Sequence, residues 1–329
     1  MAVLIHASLS RGTWEKYTTG WRAFESFELY TKKRYGWPLQ DNTVRAFAVY
    51  LLRVRKLKPS TVRTYISAIF CLQRLKGHQV KKEREDNLLS AIIRGASNLS
   101  RMEPESKPNT RRVMTAPLLK HLGHRLAGSG WGDVAVQSIW TASLLAFFGT
   151  MRMGEILAPA DDWLDPHSTM TWSDVQFREA PNGILLRIKS PKMGTAEGEF
   201  VDIFPVSKIH GCCPVAALRR QHRIQMSIGK GGPQDPLFTY PSGKYVTLDA
   251  FNKALKVLLE DIVDYSKDKI SCHSFRAGLP SLISRHPDLF SSEDIKGWGR
   301  WSSEAYNHYT RLKIDQRMKI FDKIMSVFS

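Results

Sequence analysis

Two stretches near the end of the chain carry most of its chemical information. The first is His273-Ser274-Phe275-Arg276, and the second is Gly299-Arg300-Trp301-Ser302-Ser303-Glu304-Ala305-Tyr306-Asn307-His308-Tyr309. A histidine and an arginine three residues apart lie on one face of a helix, where both can reach the same phosphate. The second stretch supplies two tyrosines, and tyrosine is one of the side chains that form covalent intermediates. Taken alone neither stretch is specific, because an HxxR pair occurs by chance in many chains and this chain has 10 tyrosines; it is their combination that carries information.

A further arginine follows an apolar helix predicted at residues 136–148. It lies in Gly149-Thr-Met-Arg152-Met-Gly-Glu155-Ile-Leu. An arginine directly after a buried helix requires an anionic partner. Glu155 can be that partner, so a simple Arg152–Glu155 pair that caps the helix is one interpretation.

These stretches resemble the catalytic end of the tyrosine site-specific recombinases, also called phage-type integrases. The pairing of HxxR with GRWxSxAYxxY is closest to crypton and DIRS-like elements and to Cre-like members. The resemblance implies DNA strand exchange through a covalent phosphotyrosine, without a metal or a nucleotide cofactor. It implies that Tyr309 is the nucleophile and that the earlier Tyr306 packs.

The resemblance also assigns the remaining catalytic roles. Arg152, Arg276 and His273 are expected on the phosphate, with Glu155 bracing the site. Trp301 stands where many integrases carry histidine; its indole N–H can donate one hydrogen bond but cannot transfer a proton.

The general acid is expected to be a lysine on a hairpin. Strands are predicted at 184–188 and 199–204, and the loop between them reads Lys189-Ser-Pro-Lys192-Met-Gly-Thr-Ala-Glu-Gly. Lys192 is the preferred candidate because it lies nearer the turn, and Lys189 is the alternative. A third interpretation is that both lysines are solvated and touch only the DNA backbone.

The charge of the chain favours a polyanionic partner. Its 329 residues include 48 Lys and Arg against 31 Asp and Glu, a formal net charge of +17. Double-stranded DNA is the predicted partner; an anionic membrane surface ranks second. No uninterrupted apolar run is long enough to span a membrane, and no small-molecule substrate is expected.

Cysteine usage points to a reducing compartment. The 4 cysteines form no CxxC pair, and His210-x-Cys212-Cys213 lacks a second ligand pair at the spacing of a zinc site. We therefore expect no metal. The first residues lack the features of a signal peptide, which favours an intracellular protein, nuclear in a eukaryote and cytoplasmic otherwise.

The predicted fold is mainly α with a small antiparallel sheet. Apolar residues recur at helical spacing in the first hundred residues, for example at Val44, Phe47 and Leu51. Residues 1–102 are predicted to be a helical core DNA-binding domain, 103–112 a linker, and 113–329 the catalytic domain. The resemblance implies that the two domains form a C-shaped clamp on the duplex.

A terminal helix is predicted beyond Tyr309, with apolar residues at Ile314, Met318, Phe321 and Ile324 or Met325. The resemblance implies that this helix is exchanged with a neighbouring subunit in a homo-tetramer on DNA. The alternative is packing on its own domain.

Two other functions are compatible with parts of this pattern. A type IB topoisomerase shares the chemistry but relaxes supercoils as a monomer. A catalytically inactive DNA-binding relative should have lost one of the key residues. Arg152, His273, Arg276 and Tyr309 are all present, so this alternative ranks last.

Overall fold

The computed structural model describes residues 8–9, 11–80, 86–102, 110–189, 198–263, 268–300 and 314–328. The chain divides into two compact units, Met1–Pro108 and Asn109–Ser329, and each unit is described by itself. Within the described ranges, no helix is long and apolar enough to cross a membrane.

The first unit is built from helices whose apolar faces share one core. They are α1 (Arg11–Thr31), α2 (Asp41–Arg53), α3 (Pro59–Leu75) and α4 (Asn87–Met102). The predicted stripe of Val44, Phe47 and Leu51 faces inward, since these side chains are at most 3% exposed. Pro59 opens α3 at a position where its missing N–H removes no helical hydrogen bond. This part of the chain is therefore helical, as its periodicity predicts.

The second unit combines helices with a small sheet. Its helices are α5 (Ala116–Ala127), α6 (Asp133–Phe148), α7 (Met153–Ile156), α8 (Pro214–Ser227), α9 (Leu248–Leu258), α10 (Cys272–Ile283), α11 (Ser292–Gly299) and α12 (Ile314–Val327). The prediction of a mainly α chain with a small antiparallel sheet is thus confirmed.

Helix α6 is the buried centre of this unit. From residue 137 to 148 every side chain except Trp140 is buried. The polar residues that interrupt its apolar sequence find partners on or beside α8. Gln137 Nε2 donates to Ala217 O at 3.0 Å, and Gln221 Nε2 donates to Ser138 Oγ at 3.1 Å. These hydrogen bonds offset part of the desolvation penalty that buried amides and hydroxyls carry.

The sheet has the antiparallel order β2 (Val175–Glu179), β3 (Asn182–Ile188) and β4 (Glu199–Ile203). Strands β3 and β4 confirm the two predicted strands. Strand β2 was not predicted: its sequence Val-Gln-Phe-Arg-Glu alternates, but only two of its five residues are apolar and none of its side chains is fully buried. A second, two-stranded parallel sheet pairs β1 (Thr110–Arg111), within the predicted linker, with β5 (Asp268–Lys269).

The last described helix packs on its own unit. The buried residues of α12 are Arg317, Ile320, Phe321, Ile324 and Met325. The Phe321 ring lies 5.2 Å from that of Phe204 and 6.1 Å from that of Trp298. The apolar stripe beyond Tyr309 therefore has a partner within the same unit, which is the alternative that its periodicity left open.

Helices α6 and α10 approach each other at a glycine. A Cβ added to Gly278 would overlap the carbonyl oxygen of Met114 and would lie 2.6 Å from Cε2 of Phe147. Because only hydrogen fits there, α10 comes close to α6. Arg276, also on α10, is 3% exposed.

We expect Gly278→Ala to destabilise the second unit by about 1–3 kcal/mol, because the added methyl overpacks the contact. Thermal unfolding measures this as a lowered midpoint. The control is Gly95→Ala on α4, where a Cβ meets nothing within 4 Å and helix propensity favours alanine by about 1 kcal/mol. Equal midpoints for the two variants would contradict the close approach of α6 and α10.

Candidate active site

The turn after α6 places Arg152. Thr150 adopts a left-handed backbone with φ of 48°, and its hydroxyl donates to Trp298 O at 3.0 Å. Gly149 precedes it, and a Cβ there would lie 2.8 Å from Leu145 O and 2.6 Å from Cδ1 of Ile203, so glycine allows the close approach. The chain thus reverses sharply against the core and begins α7 immediately after Arg152.

Glu155 binds Arg152 in two ways. Arg152 Nη1 donates to Glu155 Oε1 at 2.7 Å, and the Arg152 backbone N–H donates to Oε2 at 2.9 Å. The predicted pair and cap are therefore formed. The Glu155 side chain is 5% exposed while that of Arg152 is 33% exposed. The guanidinium of Arg152 is therefore held by a buried carboxylate and remains partly accessible to solvent.

Arg276 joins the two sequence motifs. Its Nη1 donates to Thr150 O at 2.6 Å and its Nη2 to Gly299 O at 2.9 Å. Burial, followed by repulsion from Arg300 and then from Arg152, lowers the pKa of Arg276 to about 10, while Glu155 and Glu199 oppose the shift. A buried guanidinium with positive neighbours is a favourable position for an added anion.

Arg300 is a buried cation whose role the sequence did not reveal. Its Nη2 donates to Glu155 Oε2 at 2.8 Å and its Nη1 to Glu199 Oε2 at 2.9 Å. The side chain is 4% exposed. The signal in the sequence was an arginine between two tryptophans, Trp298 and Trp301, where a surface charge is unusual.

The pKa of Glu155 reflects these contacts. Burial by itself would raise the pKa, but the charge and hydrogen bond of Arg300, followed by the hydrogen bonds of Arg152, hold it below its ordinary value. Glu155 is therefore ionised at neutral pH. The cluster consists of three arginines and two glutamates and therefore carries a net charge of +1; its members are Arg152, Arg276, Arg300, Glu155 and Glu199.

The two candidate lysines differ in what the structure shows of them. Lys189 Nζ lies 3.0 Å from Asp174 Oδ2 and donates to Thr169 O at 3.0 Å. The Asp174 side chain is fully buried and also pairs with Arg187 at 2.8 Å. Lys189 therefore anchors the start of the loop after β3, while Lys192 lies outside the described residues.

Comparison with solved structures identifies the fold. The chain is similar to a lambda integrase (75-356) dimer bound to a COC′ core site, with 14% identity, a TM-score of 0.54, and coverage of 95% of this chain and 96% of that one. It is also similar to XerH site-specific recombinase bound to difH substrate, with 12% identity, a TM-score of 0.54, and coverage of 96% and 79%. The chain has the tyrosine recombinase fold. No protein-family model and no curated protein sequence matches it.

Within this tyrosine recombinase fold, the remaining predicted residues divide into two groups. His273 is exposed on α10, on the same helix as Arg276. Trp301, Tyr306 and Tyr309 lie outside the described residues, so their roles stay predictions. Arg300, the residue before Trp301, ends α11 in a left-handed conformation with φ of 51°.

The histidine–cysteine stretch has a structural explanation. Cys213 caps α8, its Sγ accepting from Ala216 N at 3.5 Å, and Cys212 is buried in the core. In the part of the chain that the structure describes, no three His, Cys, Asp or Glu side chains are grouped to hold a metal ion.

We expect Glu155→Gln to lower the free energy of unfolding by about 3 kcal/mol near neutral pH, because it leaves buried guanidinium groups without their counter-ion. The wild-type contribution is present above the ordinary pKa of a glutamate and is lost as pH falls through the lowered pKa of Glu155. The difference between variant and wild type should therefore shrink in acid. Urea unfolding at several pH values measures it.

The matched control is Glu179→Gln on β2, where the side chain is exposed. This variant should unfold like wild type at every pH. A Glu155→Gln variant that behaves like this control would show that the carboxylate does not hold the arginines together.

Proposed function

We propose that the protein is a site-specific DNA recombinase that cleaves and rejoins strands through a 3′-phosphotyrosine. The observation that carries this proposal is the convergence of Arg152 and Arg276 from distant segments. Arg276 binds the carbonyl of Thr150, two residues before Arg152, and the carbonyl of Gly299, two residues before Trp301. Two arginines beside one another, in a tyrosine recombinase fold, form a receptor for a phosphodiester.

The reaction is a transesterification. The Tyr309 hydroxyl gives up its proton to His273 as its oxygen attacks phosphorus. The bond from phosphorus to the 5′-oxygen breaks, and Lys192 protonates that oxygen to give a free 5′-hydroxyl. Arg152 and Arg276 bind the nonbridging oxygens as charge develops on them. His273 and Trp301 supply further hydrogen bonds.

Rejoining reverses these steps with a 5′-hydroxyl from another strand. The energy of the phosphodiester is kept in the phosphotyrosine bond, so no ATP is required. Guanidinium groups supply the fixed positive charge that a metal ion would provide in other nucleases.

The substrate we propose is double-stranded DNA. The chain carries a formal net charge of +17, which favours a polyanion. The two similar structures support the assignment, because lambda integrase is bound to a COC′ core site and XerH to its difH substrate. The reaction would then occur where DNA resides, in the nucleus of a eukaryote or in the cytoplasm of a bacterium.

Four protomers are required for the complete exchange, since two duplexes are each cleaved on both strands. We infer a homo-tetramer on DNA for this reason. The apolar face of α12 packs on its own unit, so exchanging that face between subunits would require it to leave this position.

The nucleophile can be tested on a nicked suicide duplex. The target site can be obtained by selecting duplexes from a random pool for retention on the wild-type chain. We expect Tyr309→Phe to form no covalent protein–DNA adduct, because it lacks the attacking oxygen, and Tyr306→Phe to form adduct like wild type. Denaturing gel electrophoresis detects the adduct.

The reverse result for the two tyrosines would exclude Tyr309. Wild-type protein that relaxes supercoiled plasmid but never joins strands from two duplexes would indicate a topoisomerase. Wild-type protein that binds the duplex and forms no adduct would indicate an inactive DNA-binding protein.

The general acid can be tested with a sulfur atom in place of the 5′-bridging oxygen, because the thiolate leaves without a proton. We expect Lys192→Ala to cleave normal DNA about 10²–10⁴-fold more slowly and the sulfur substrate almost like wild type. Single-turnover cleavage rates measure both.

Lys189→Met is the control. Its ammonium binds a buried carboxylate, so the variant should be less stable, and the sulfur substrate should give no selective rescue. If the sulfur substrate rescues cleavage by Lys189→Met and not by Lys192→Ala, Lys189 is the general acid and Lys192 is not. If neither is rescued, the proton comes from another group, and His273 is the next candidate.

A further inference from the structure

Arg300 connects segments that are far apart in the chain. Its guanidinium bridges Glu155 on α7 and Glu199 at the start of β4, at 2.8 and 2.9 Å. Through Glu155 it supports Arg152, whose side chain and backbone N–H both bind that carboxylate. Through Glu199 it fixes the strand that follows the loop carrying Lys192.

The backbone of Arg300 matches this role. It adopts a left-handed conformation with φ of 51° and ψ of 45°, which is unfavourable for a residue with a side chain. The conformation ends α11 and directs the guanidinium inward, where it is 4% exposed. The chain then enters the segment that contains Trp301 and Tyr309.

The position requires a side chain with two separate donor nitrogens, and the guanidinium of arginine has them. The two carboxylates are bound by different terminal nitrogens of one planar group. An ammonium carries the same charge on one atom at the end of a flexible stem and does not reproduce this fixed geometry.

We propose that Arg300 is a positioning residue for strand cleavage. By binding both Glu155 and Glu199, it fixes the carboxylate that holds Arg152 relative to strand β4. This inference rests on the proposed function. It differs from a purely structural role, in which Arg300 would affect the folded fraction but not the rate of the bound, folded enzyme.

The test uses the full-length chain and the selected suicide duplex at saturating concentration. We expect Arg300→Met to bind this duplex but to form adduct on the order of 100-fold more slowly, since small misplacements of catalytic groups have effects of that size. Arg300→Lys should recover only part of that loss. The control is Arg178→Met, which removes an arginine paired with Asp202 at 2.9 Å on the same sheet and should cleave at the wild-type rate.

The pH profile separates positioning from stability. The charged groups around Glu155 come from several elements. They are Arg152 beside α7, Arg276 on α10 and Arg300 at the end of α11, with Glu199 of β4 on the far side of Arg300. Without Arg300 the carboxylate of Glu155 is protonated at higher pH, so cleavage by Arg300→Met should begin to fail at a higher pH than wild type. Arg178→Met should keep the wild-type profile.

Several outcomes would overturn the inference. One is adduct formation by Arg300→Met at the wild-type rate per folded molecule. Another is a wild-type rate in Arg300→Lys, which also decides the question if Arg300→Met fails to fold. A wild-type chain that forms no adduct would overturn the proposed function itself, which distinguishes the two failures.

Discussion

The second unit depends on a buried carboxylate, that of Glu155. Guanidinium groups repel one another strongly where the effective dielectric is low, so they cannot be gathered without a counter-ion among them. Glu155 binds Arg152 and Arg300, and it offsets the positive surroundings of Arg276. Three segments, the turn after α6, helix α10 and the end of α11, can therefore meet at one point.

The cluster is balanced so that it remains receptive to an anion. Arginines whose charge is fully neutralised by carboxylates attract phosphate only weakly, whereas buried arginines without any counter-ion destabilise the fold. Here the carboxylates leave one positive charge in excess, and burial together with the neighbouring arginines lowers the pKa of Arg276 to about 10. Because the donors are already oriented by carbonyls and carboxylates, charge that develops on a phosphate in the proposed reaction would meet fixed partners. The stability of the fold and the proposed chemistry thus rest on the same ion pairs.

The sequence predicted features that depend on local pattern and missed features that depend on partners distant in the chain. The buried helix α6 and strands β3 and β4 follow from apolar runs and were predicted. Strand β2 was missed because it is short and its alternating pattern holds only two apolar residues, Val175 and Phe177. The resemblance of the motifs predicted that Arg152 and Arg276 would lie together, and the structure brings them together. Nothing local indicated that Arg300 would bind Glu155, 145 residues away, because such a pairing exists only after the chain has folded.

Ion pairs also bear on the two candidate lysines, which the sequence left as alternatives. A general acid must be able to release its proton to the leaving oxygen, and Lys189 instead binds a fully buried carboxylate and a backbone carbonyl. That contact fixes the end of β3, while Arg300 fixes Glu199 at the start of β4. Gly198, with φ of 87°, has no room for a Cβ beside Ile188 O. Lys189, directly after β3, and Glu199, at the start of β4, are thus each held by an ion pair with a buried partner, which fixes the register of the two strands at the end where the loop leaves them.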